Sequence, residues 1–568
     1  MTTTLEGMTV TELDGVRTVI APRANPADPI TAGLLFRVGV ADESVATSGI
    51  THLVEHLALH EHGLGELHYN GATADLYTHF HVQGSESEVV EYFRGLCAEL
   101  TAPSLELLDT ERSILKAERD GRSSRAHDLL VYRYGLETYG VRVANEAGLD
   151  LITPERVRDW VHTRFTGANA VFWLLADAIP EELRLVLPEG PAHPPPAASN
   201  ALPSTPASVH NQSNFIQTQS IIERQTAGPI LARIIDRRLW HHLRQSTGIS
   251  YNAGASYDPR DDRFAVLTAY ADASPEMLPR LAGTFMDTLA ALRFGGITLE
   301  EFEAARAFAS KQLTNARAPH NLAPGYAMGM LLGARWTSME DLAAEQDELT
   351  LADMTTLMEK VYADTLVTAP MSVEWAGFPL GPQFSTESVT GESMASQDTA
   401  RGQLILGTQG VTQQLPRGPV TIRFEDCVFF ERYADGGRVM WGRDGFRLWI
   451  EPTLFPVSPE QLAWLDAAVP RGVTTDLPAR SPEHIPQLAP APAPTPALAS
   501  AKPNGVSWTD SSAWQRFWIV AIAVIVTYGW LAIVARLWQD VGPAAVLIPA
   551  VLLAAGGWYY WQRVKKKT

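Results

Sequence analysis

The stretch His52-Leu-Val-Glu55-His56 decides how the first part of this chain is interpreted. On an α-helix, residues at positions i, i+3 and i+4 share one face, so both imidazoles can reach a single metal ion. Histidine nitrogens and carboxylate oxygens are ligands that Zn²⁺ accepts, and an acid between two such histidines can hold the water that attacks a carbonyl. The stretch therefore predicts a zinc site with His52 and His56 as ligands and Glu55 as general base.

A catalytic zinc site needs a third protein ligand, and we expect an acid from another helix. The helix predicted over residues 105–119 offers Glu111 and Glu118, which are seven residues apart and therefore lie on one face. Taken alone, these acids would be interpreted as an ordinary solvated face. With the histidine motif upstream, one of them is expected to complete a site for one Zn²⁺ per chain.

Further motifs surround the histidine stretch and give the region a family resemblance. They are Val38-Gly-Val-Ala-Asp-Glu43, Asn70-Gly-Ala-Thr73, and the spacing of the two acids. Residues 36–119 thereby resemble the insulinase/pitrilysin (inverzincin) family of zinc metallopeptidases. The resemblance is strongest to the single-unit branch that includes mitochondrial processing peptidase and bacterial processing proteases. One departure is Gly71, which stands where the family usually has alanine.

The resemblance implies a role for each matching residue. Glu118 would be the third zinc ligand, and Glu111 would orient the metal site. Glu55 would activate a zinc-bound water for attack on a peptide carbonyl, and Asn70 would help to position the peptide.

A second motif lies in another domain, where Arg244-Gln-Ser-Thr-Gly-Ile-Ser-Tyr251 resembles the family's R-x-x-x-G-x-x-Y segment. The resemblance implies that Arg244 and Tyr251 contact the substrate and the oxyanion, and it extends over residues 5–380. Family members enclose peptides between two halves, and this chain supplies one half of two tandem α/β sandwich domains. A homodimer, or pairing with a related subunit, is therefore expected, with Arg244 and Tyr251 of one subunit completing the site of the other.

Proline-rich and small polar stretches at residues 188–206, 385–399 and 486–503 divide the chain. We predict an α+β protein of five parts, and the small β-rich part resembles pleckstrin-homology-like modules in architecture. The parts are the zinc-binding catalytic domain (1–187), a second domain without metal (207–384), the small β-rich domain (400–485), a Pro/Ala-rich linker (486–511) and a transmembrane helical hairpin (512–568).

The predicted hairpin consists of two uncharged runs, Phe517–Ala535 and Val541–Gln562. Each run is long enough to cross a hydrocarbon core of about 30 Å. The basic end that begins at Arg563 should stay in the cytoplasm by the positive-inside rule. Two spans then return the catalytic domains to the cytoplasm. The predicted location is the cell membrane, with the hairpin as the membrane partner.

Composition excludes several classes of function. The 568 residues are 46% hydrophobic and 19% charged, which is typical of a folded chain. A net charge of −19 argues against nucleic acid as a partner. The two cysteines, Cys97 and Cys427, are too few for a disulfide framework or a four-thiolate zinc site.

The sequence therefore predicts a membrane-anchored zinc endopeptidase that hydrolyses peptides or unfolded segments. Two alternatives remain open at this point. The chain could be a catalytically silent binding or assembly subunit of a membrane peptidase complex. The specific function could instead lie in residues 400–485, as a module that binds lipid or a partner.

Overall fold

The first domain alternates strands and helices around one sheet. The structure is a computed structural model that describes residues 2–59, 68–121, 128–211 and 213–487. The elements of this domain are β1 (Thr3–Leu5), β2 (Met8–Leu13), β3 (Val16–Ala21), β4 (Ile30–Phe36), α1 (Ile50–Leu59), β5 (His68–Thr73), β6 (Thr78–Gly84), α2 (Glu86–Thr101), α3 (Leu108–Gly121), α4 (Asp128–Tyr134), α5 (Pro154–Arg164) and β7 (Ala170–Leu175).

The seven strands form one mixed sheet in the order β1-β2-β3-β7-β4-β6-β5. Only β3 and β7 run parallel, and the other neighbouring pairs are antiparallel. Helices α1, α2, α3 and α5 cover one face of this sheet and share one apolar core with it. Strand β5 is the last strand at one edge, directly beside α1.

Helix α1 forms because apolar residues recur at helical spacing. Ile50, Leu53 and Leu57 are buried in the core, none of them more than 4% exposed. This spacing leaves His52 and His56, one turn apart, on the face that turns toward α3. The core residues of α1 therefore determine where the two imidazoles lie.

The second domain is built on a five-stranded sheet in which the neighbouring strands β8 and β12 are parallel. Its helices α6, α7, α8 and α11 share one apolar core with the sheet. The elements are β8 (Ala207–His210), β9 (Phe215–Glu223), α6 (Ala227–Leu239), β10 (Ala253–Pro259), β11 (Phe264–Asp272), α7 (Leu278–Ala290), α8 (Leu299–Ala316), α9 (Pro319–Leu332), α10 (Met339–Glu348), α11 (Leu351–Asp364) and β12 (Leu366–Ala369), in the sheet order β10-β11-β9-β12-β8.

One helix of the predicted second domain packs on the first domain instead. Helix α9 lays Ala323 and Ala327 against Trp173 and its neighbours, on the sheet face opposite α1. Next along the chain, Trp336 Nε1 donates a hydrogen bond of 3.1 Å to Glu6 Oε2. The first sheet is therefore covered on both faces.

The proline-rich stretch 188–206 was expected to be an extended, semi-rigid spacer. Its described residues have no helix or strand, but they pack along α4. Ser199 Oγ donates a hydrogen bond to the carbonyl oxygen of Tyr134 at 2.6 Å, and the Ala201 amide donates one to the carbonyl oxygen of Arg133 at 2.9 Å. The stretch is a packed connection rather than a free spacer.

The β-rich domain consists of two four-stranded sheets around a small core that includes Leu404, Phe430 and Phe455. Within each sheet, strands that follow each other in sequence from β13 to β19 pair antiparallel, and the last strand, β20, pairs in parallel with β17. The elements are β13 (Gly391–Ala395), β14 (Gln403–Gly407), β15 (Gly410–Leu415), β16 (Gly418–Arg423), β17 (Cys427–Tyr433), β18 (Arg438–Gly442), β19 (Arg447–Ile450), α12 (Pro459–Ala468) and β20 (Thr474–Leu477), in the sheet orders β13-β14-β15-β16 and β19-β18-β17-β20.

Strand β13 lies inside residues 385–399, which were predicted to be a domain boundary. The strand is mostly exposed and polar, so it lacks the alternation of a half-buried strand. It is held by pairing with β14, from Gly391 opposite Gly407 to Ala395 opposite Gln403. The β-rich domain therefore begins before residue 400.

The predicted transmembrane hairpin, and nearly all of the Pro/Ala-rich linker before it, lie outside the described residues. Among the helices that the structure describes, none combines the length and the apolar character needed to cross a membrane.

Candidate metal centre

His52 and His56 point their Nε2 atoms toward the same carboxylate, that of Glu118 on α3. His52 Nε2 lies 4.0 Å from Glu118 Oε2, and His56 Nε2 lies 3.8 Å from Glu118 Oε1. The two imidazole rings stand edge to face, with their centroids 4.8 Å apart. Two helices thus bring three possible ligand atoms to one point.

The other ring nitrogen of each histidine is held by a carboxylate. His52 Nδ1 donates to Glu146 Oε1 at 2.9 Å, and His56 Nδ1 donates to Glu111 Oε2 at 3.0 Å. Glu111 is buried, because α3 turns Leu108, Glu111 and Leu115 toward the core. These bonds place the proton on Nδ1 and leave each Nε2 lone pair directed at Glu118.

The residues present fit a zinc ion. The ligand atoms of His52, His56 and Glu118 all lie within 4.8 Å of one another. Two imidazole nitrogens and one carboxylate are a known catalytic set that leaves one position open. Over residues 2–59, 68–121, 128–211 and 213–487, this is the one cluster of three or more histidines, cysteines or acids close enough to hold a metal.

Glu55 lies between the histidines and is only 6% exposed. Its Oε2 accepts a hydrogen bond of 2.6 Å from the Thr73 hydroxyl on β5. Its Oε1 lies where a side chain at Gly71 would be, because a Cβ atom there would approach this oxygen to 2.7 Å. The absence of a side chain at Gly71 therefore makes room for the Glu55 carboxylate.

Glu43 anchors the start of α1. Its carboxylate oxygens accept hydrogen bonds from the Gly49 and Thr51 amides, each at 2.9 Å. These amides belong to the first turn of the helix, where backbone donors have no partner inside the helix. Burial raises the pKa of Glu43 to about 7, against the opposing effect of these hydrogen bonds.

Glu146 is held in a backbone conformation that is rare for residues with side chains. Asn145 has φ of 48° and Glu146 has φ of 59°, so two consecutive non-glycine residues are left-handed. Such residues cluster at functional sites, where the surrounding structure holds them in place. Here the conformation delivers the carboxylate that binds His52.

Asn70 lies on β5 but not beside Glu55. Alternate residues of a strand point to opposite faces, so Asn70 and Gly71 cannot both turn toward α1. Gly71 meets Glu55, whereas Asn70 is exposed and its Oδ1 accepts a hydrogen bond of 3.0 Å from the Gly71 amide. The structure therefore places the Asn70 amide at the sheet edge and apart from the Glu55 carboxylate.

Arg244 and Tyr251 are not brought to the histidine cluster. Arg244 lies in a π-helical turn, Trp240–Gln245, that continues α6, and it is exposed. Tyr251 is 89% exposed. In the part of the chain that the structure describes, neither side chain makes a hydrogen bond or ion pair with His52, His56 or Glu118.

Three polar contributors to the site were not predicted from the sequence: Glu43, Thr73 and Glu146. Glu43 and Thr73 belong to quoted motifs, but nothing in their spacing indicates that Glu43 binds the start of α1 or that Thr73 binds Glu55. Glu146 lies 94 residues beyond His52 in the chain. The sequence carries no local signal for that contact, which exists only in the folded chain.

Comparisons with known proteins agree with this architecture. Residues 214–308 match the family model described as the peptidase M16 inactive domain. These residues lie in the second domain, which has no H-x-x-E-H motif. No curated protein sequence matches the chain.

Solved structures share the fold. The first half of the periplasmic protease PqqL from Escherichia coli aligns with a TM-score of 0.52 at 17% identity, over 66% of this chain and 93% of that chain. A protease from Helicobacter pylori aligns with a TM-score of 0.55 at 15% identity, over 64% and 99%. Complex III2 from Candida albicans includes a chain that aligns with a TM-score of 0.51 at 12% identity, over 63% and 94%.

The match over residues 214–308 supports the resemblance to the insulinase/M16 family, and the solved structures confirm the α/β fold expected from it. At such low identities, the structural likeness shows the fold alone. A protein of this fold also occurs within a complex of several subunits.

Proposed function

We propose that this chain is a zinc-dependent endopeptidase that binds one Zn²⁺ through His52, His56 and Glu118. The observation that carries the proposal is the paired arrangement of the two imidazoles. Each Nδ1 is bound to a carboxylate, and each Nε2 lies about 4 Å from Glu118. A structural histidine pair has no need of such an arrangement, whereas a metal centre does.

The proposed chemistry assigns a task to each side chain. A bound Zn²⁺ would supply a Lewis acid for the scissile carbonyl and for a water molecule. The Glu55 carboxylate, which accepts a hydrogen bond from the Thr73 hydroxyl, takes the proton of the attacking water. It later gives this proton to the leaving amine. Glu111 and Glu146 keep the imidazoles oriented throughout.

The edge of the first sheet offers a way to bind an extended peptide. In the described residues, β5 has a strand partner, β6, on one side only. An extended peptide can add to such an edge through main-chain hydrogen bonds, which recognise the backbone and tolerate many sequences. A peptide seated there lies beside Glu55, and Asn70 is exposed on the same strand to contact it.

Zinc content and peptide cleavage, measured on the full chain and on Glu55→Gln, test the proposal. We expect one zinc per chain in both proteins. Cleavage of an unstructured peptide should fall by about 10²–10⁴-fold in the variant, which is the usual contribution of a general base. Thr73→Val is a milder companion variant that leaves the carboxylate in place without its hydroxyl donor.

The other outcomes are equally informative. Zinc in both proteins with no cleavage from either would favour the catalytically silent binding or assembly subunit. The match of residues 214–308 to an inactive domain and the presence of this fold in Complex III2 are compatible with that role. Absence of zinc from the unmutated chain would contradict the proposal.

We also propose that two copies, or this chain and a related subunit, together form the complete site. Arg244 and Tyr251 are exposed and lie apart from the histidine cluster, which supports their use by a second chain. The Tyr251 hydroxyl of one chain would donate to the oxyanion formed in the other, and Arg244 would bind the peptide backbone.

Mixing two inactive variants tests this arrangement. Glu55→Gln retains Tyr251, and Tyr251→Phe retains Glu55, so a mixed dimer contains one unmutated site. Random exchange of subunits should restore about one quarter of the unmutated activity if the dimer is symmetric. If each chain completes its own site, the mixture will be as inactive as its components.

For location, we propose that the uncharged runs within residues 512–568 anchor the chain in the cell membrane, with residues 1–485 in the cytoplasm. Their length and the basic C-terminal end support this. Deletion of 512–568 should release the chain from the membrane fraction, whereas deletion of 400–485 should not. We further infer the single-unit branch of the family, because the motifs within residues 36–119 resemble that branch most.

A further inference from the structure

The β-rich domain is packed on the first domain through an apolar cluster separate from its own core. We call this the docking cluster. Its buried members are Val45, Ala46, Leu136 and Ala144 of the first domain and Phe429, Val439 and Trp441 of the β-rich domain. Phe429 is 1% exposed and Val45 is fully buried, so the contact excludes water as a protein core does.

The chain on the first-domain side of the docking cluster leads directly to the metal centre. Val45 and Ala46 lie between Glu43 and the first turn of α1, the turn that Glu43 holds through the Gly49 and Thr51 amides. Because α1 carries both histidines, a shift of this segment would move the ligands.

The second segment on that side carries Glu146. Ala144 belongs to the docking cluster and precedes the two left-handed residues Asn145 and Glu146. The two segments are tied together, because the Gly148 amide donates a hydrogen bond of 2.9 Å to Ser48 Oγ. The docking cluster thus supports both the start of α1 and the carboxylate that binds His52.

The backbones of the first domain and the β-rich domain approach each other closely beside the docking cluster. The Leu136 amide donates a hydrogen bond of 2.8 Å to the Arg443 carbonyl oxygen. Glycines on both sides allow the approach, because a Cβ atom at Gly135 would lie 2.3 Å from that oxygen and one at Gly445 would lie 2.4 Å from Val131 Cγ2. The Arg443 guanidinium also pairs with Glu137.

We infer that the β-rich domain is part of the scaffold of the metal centre, with Phe429 and Val439 as positioning residues that act through Val45, Ala46 and Ala144. The inference rests on the proposed function and assigns the β-rich domain a role in it. Left-handed, non-glycine residues persist only where the surrounding structure holds them, and Ala144 and Ala147 on either side of Asn145 and Glu146 pack in the docking cluster. Loss of an outer carboxylate from a metal-binding histidine typically weakens metal affinity about 10–100-fold.

Two adjacent phenylalanines provide a matched test. Phe429 and Phe430 follow each other on β17 and therefore point to opposite faces. Phe429 enters the docking cluster, whereas Phe430 is fully buried in the core of the β-rich domain. Phe429→Leu and Phe430→Leu remove the same atoms from the same strand, so their effects on the stability of the domain should be similar.

The measurement is the zinc dissociation constant of the full chain, obtained by competition with a chromophoric chelator and accompanied by the visible spectrum of the Co²⁺-loaded protein. We expect Phe429→Leu to weaken zinc binding about 10-fold or more and to alter the Co²⁺ spectrum. Phe430→Leu should leave both unchanged. Val439→Ala is a smaller change in the docking cluster and should also weaken zinc binding. It replaces Phe429→Leu in the test if the Phe429→Leu chain folds poorly.

Equal zinc affinity in Phe429→Leu and the unmutated chain would overturn the inference. An equal loss in Phe429→Leu and Phe430→Leu would overturn it as well, because the effect would then follow general destabilisation. Failure of the unmutated chain to bind zinc is a separate result. It would remove the proposed function itself, and the inference with it.

Discussion

The sharpest prediction concerns Gly71, which stands beside the proposed general base. The backbone of Gly71 is not in the left-handed region, so any residue could adopt it. Its side-chain space, however, is occupied. A Cβ atom would lie 2.7 Å from Glu55 Oε1 and 2.8 Å from both Glu55 Cγ and Leu59 Cδ1. Gly71→Ala must therefore displace Glu55 or separate β5 from α1.

The cost of that displacement can be estimated. Extra methyl groups in a packed site typically destabilise a protein by about 1–3 kcal/mol. Glu55 cannot move away freely, because its Oε2 is held by the Thr73 hydroxyl at 2.6 Å. A shift of about 1 Å in a catalytic group can reduce turnover by about 10²-fold. Zinc binding should persist, because the atoms nearest to that Cβ belong to Glu55 and Leu59 and to none of the three proposed ligands.

Gly283→Ala is the control for this variant. Gly283 lies in α7, and nothing lies within 4 Å of the position its Cβ would take. Alanine is preferred over glycine in a helix, so this change should stabilise the chain by about 0.5–1 kcal/mol. Urea unfolding, zinc content and peptide cleavage should be measured on both variants. Unchanged cleavage in Gly71→Ala would refute the reasoning.

The remaining predictions address the surroundings of the site and the β-rich domain. Glu146→Ala should weaken zinc binding about 10–100-fold in chelator competition, because one ring nitrogen of His52 loses its acceptor. Burial raises the pKa of Glu43 from 4.5 to about 7, so the folded chain holds this proton more tightly than the unfolded chain. Protonated Glu43 therefore adds to the free energy of unfolding below about pH 4.5, and this contribution is lost as the pH rises through 7. Urea unfolding from pH 5 to pH 8 should show a smaller loss of stability in Glu43→Gln than in the unmutated chain. Arg480→Met should lower the free energy of unfolding by about 3–5 kcal/mol in a urea titration, because it leaves Glu451, which is 1% exposed, without its cation.

Local patterns in the sequence predicted the elements that are determined by residues close to each other in the chain. Residues 400–485 were expected to be β-rich, because short alternating stretches lie between turn residues there, and the structure places β14–β19 in this range. Helix α12 begins at a local cap, where Ser458 Oγ accepts a hydrogen bond from the Gln461 amide at 3.2 Å. Strand β13 was not predicted, because a polar edge strand carries no such alternation and depends on its pairing with β14.

The same distinction applies to the metal centre. Spacing within α1 predicts that His52 and His56 share a face, and spacing within α3 predicts the same for Glu111 and Glu118. Which acid faces the Nε2 atoms is decided by the depth of α3 in the core: Glu111 is 3% exposed and reaches an Nδ1 atom, whereas the Glu118 side chain is 44% exposed. Helical periodicity contains no information about depth, so the sequence pattern alone could not choose between the two acids.

Domain boundaries mark where composition changes along the chain, and they are a poor guide to where a site ends. A change in composition separates the β-rich domain from the peptidase-like pair, and residues 400–485 lie outside the family resemblance. In the folded chain, Phe429 shares an apolar cluster with Val45 and Ala46, which follow Glu43, and with Ala144, which precedes Glu146 by two residues. Two carboxylates near the histidines are therefore supported by a domain that motif analysis places outside the site. If the docking cluster acts as we infer, a partner or ligand that binds the β-rich domain can change metal affinity without touching a metal ligand, because both carboxylates rest on the same packed surface.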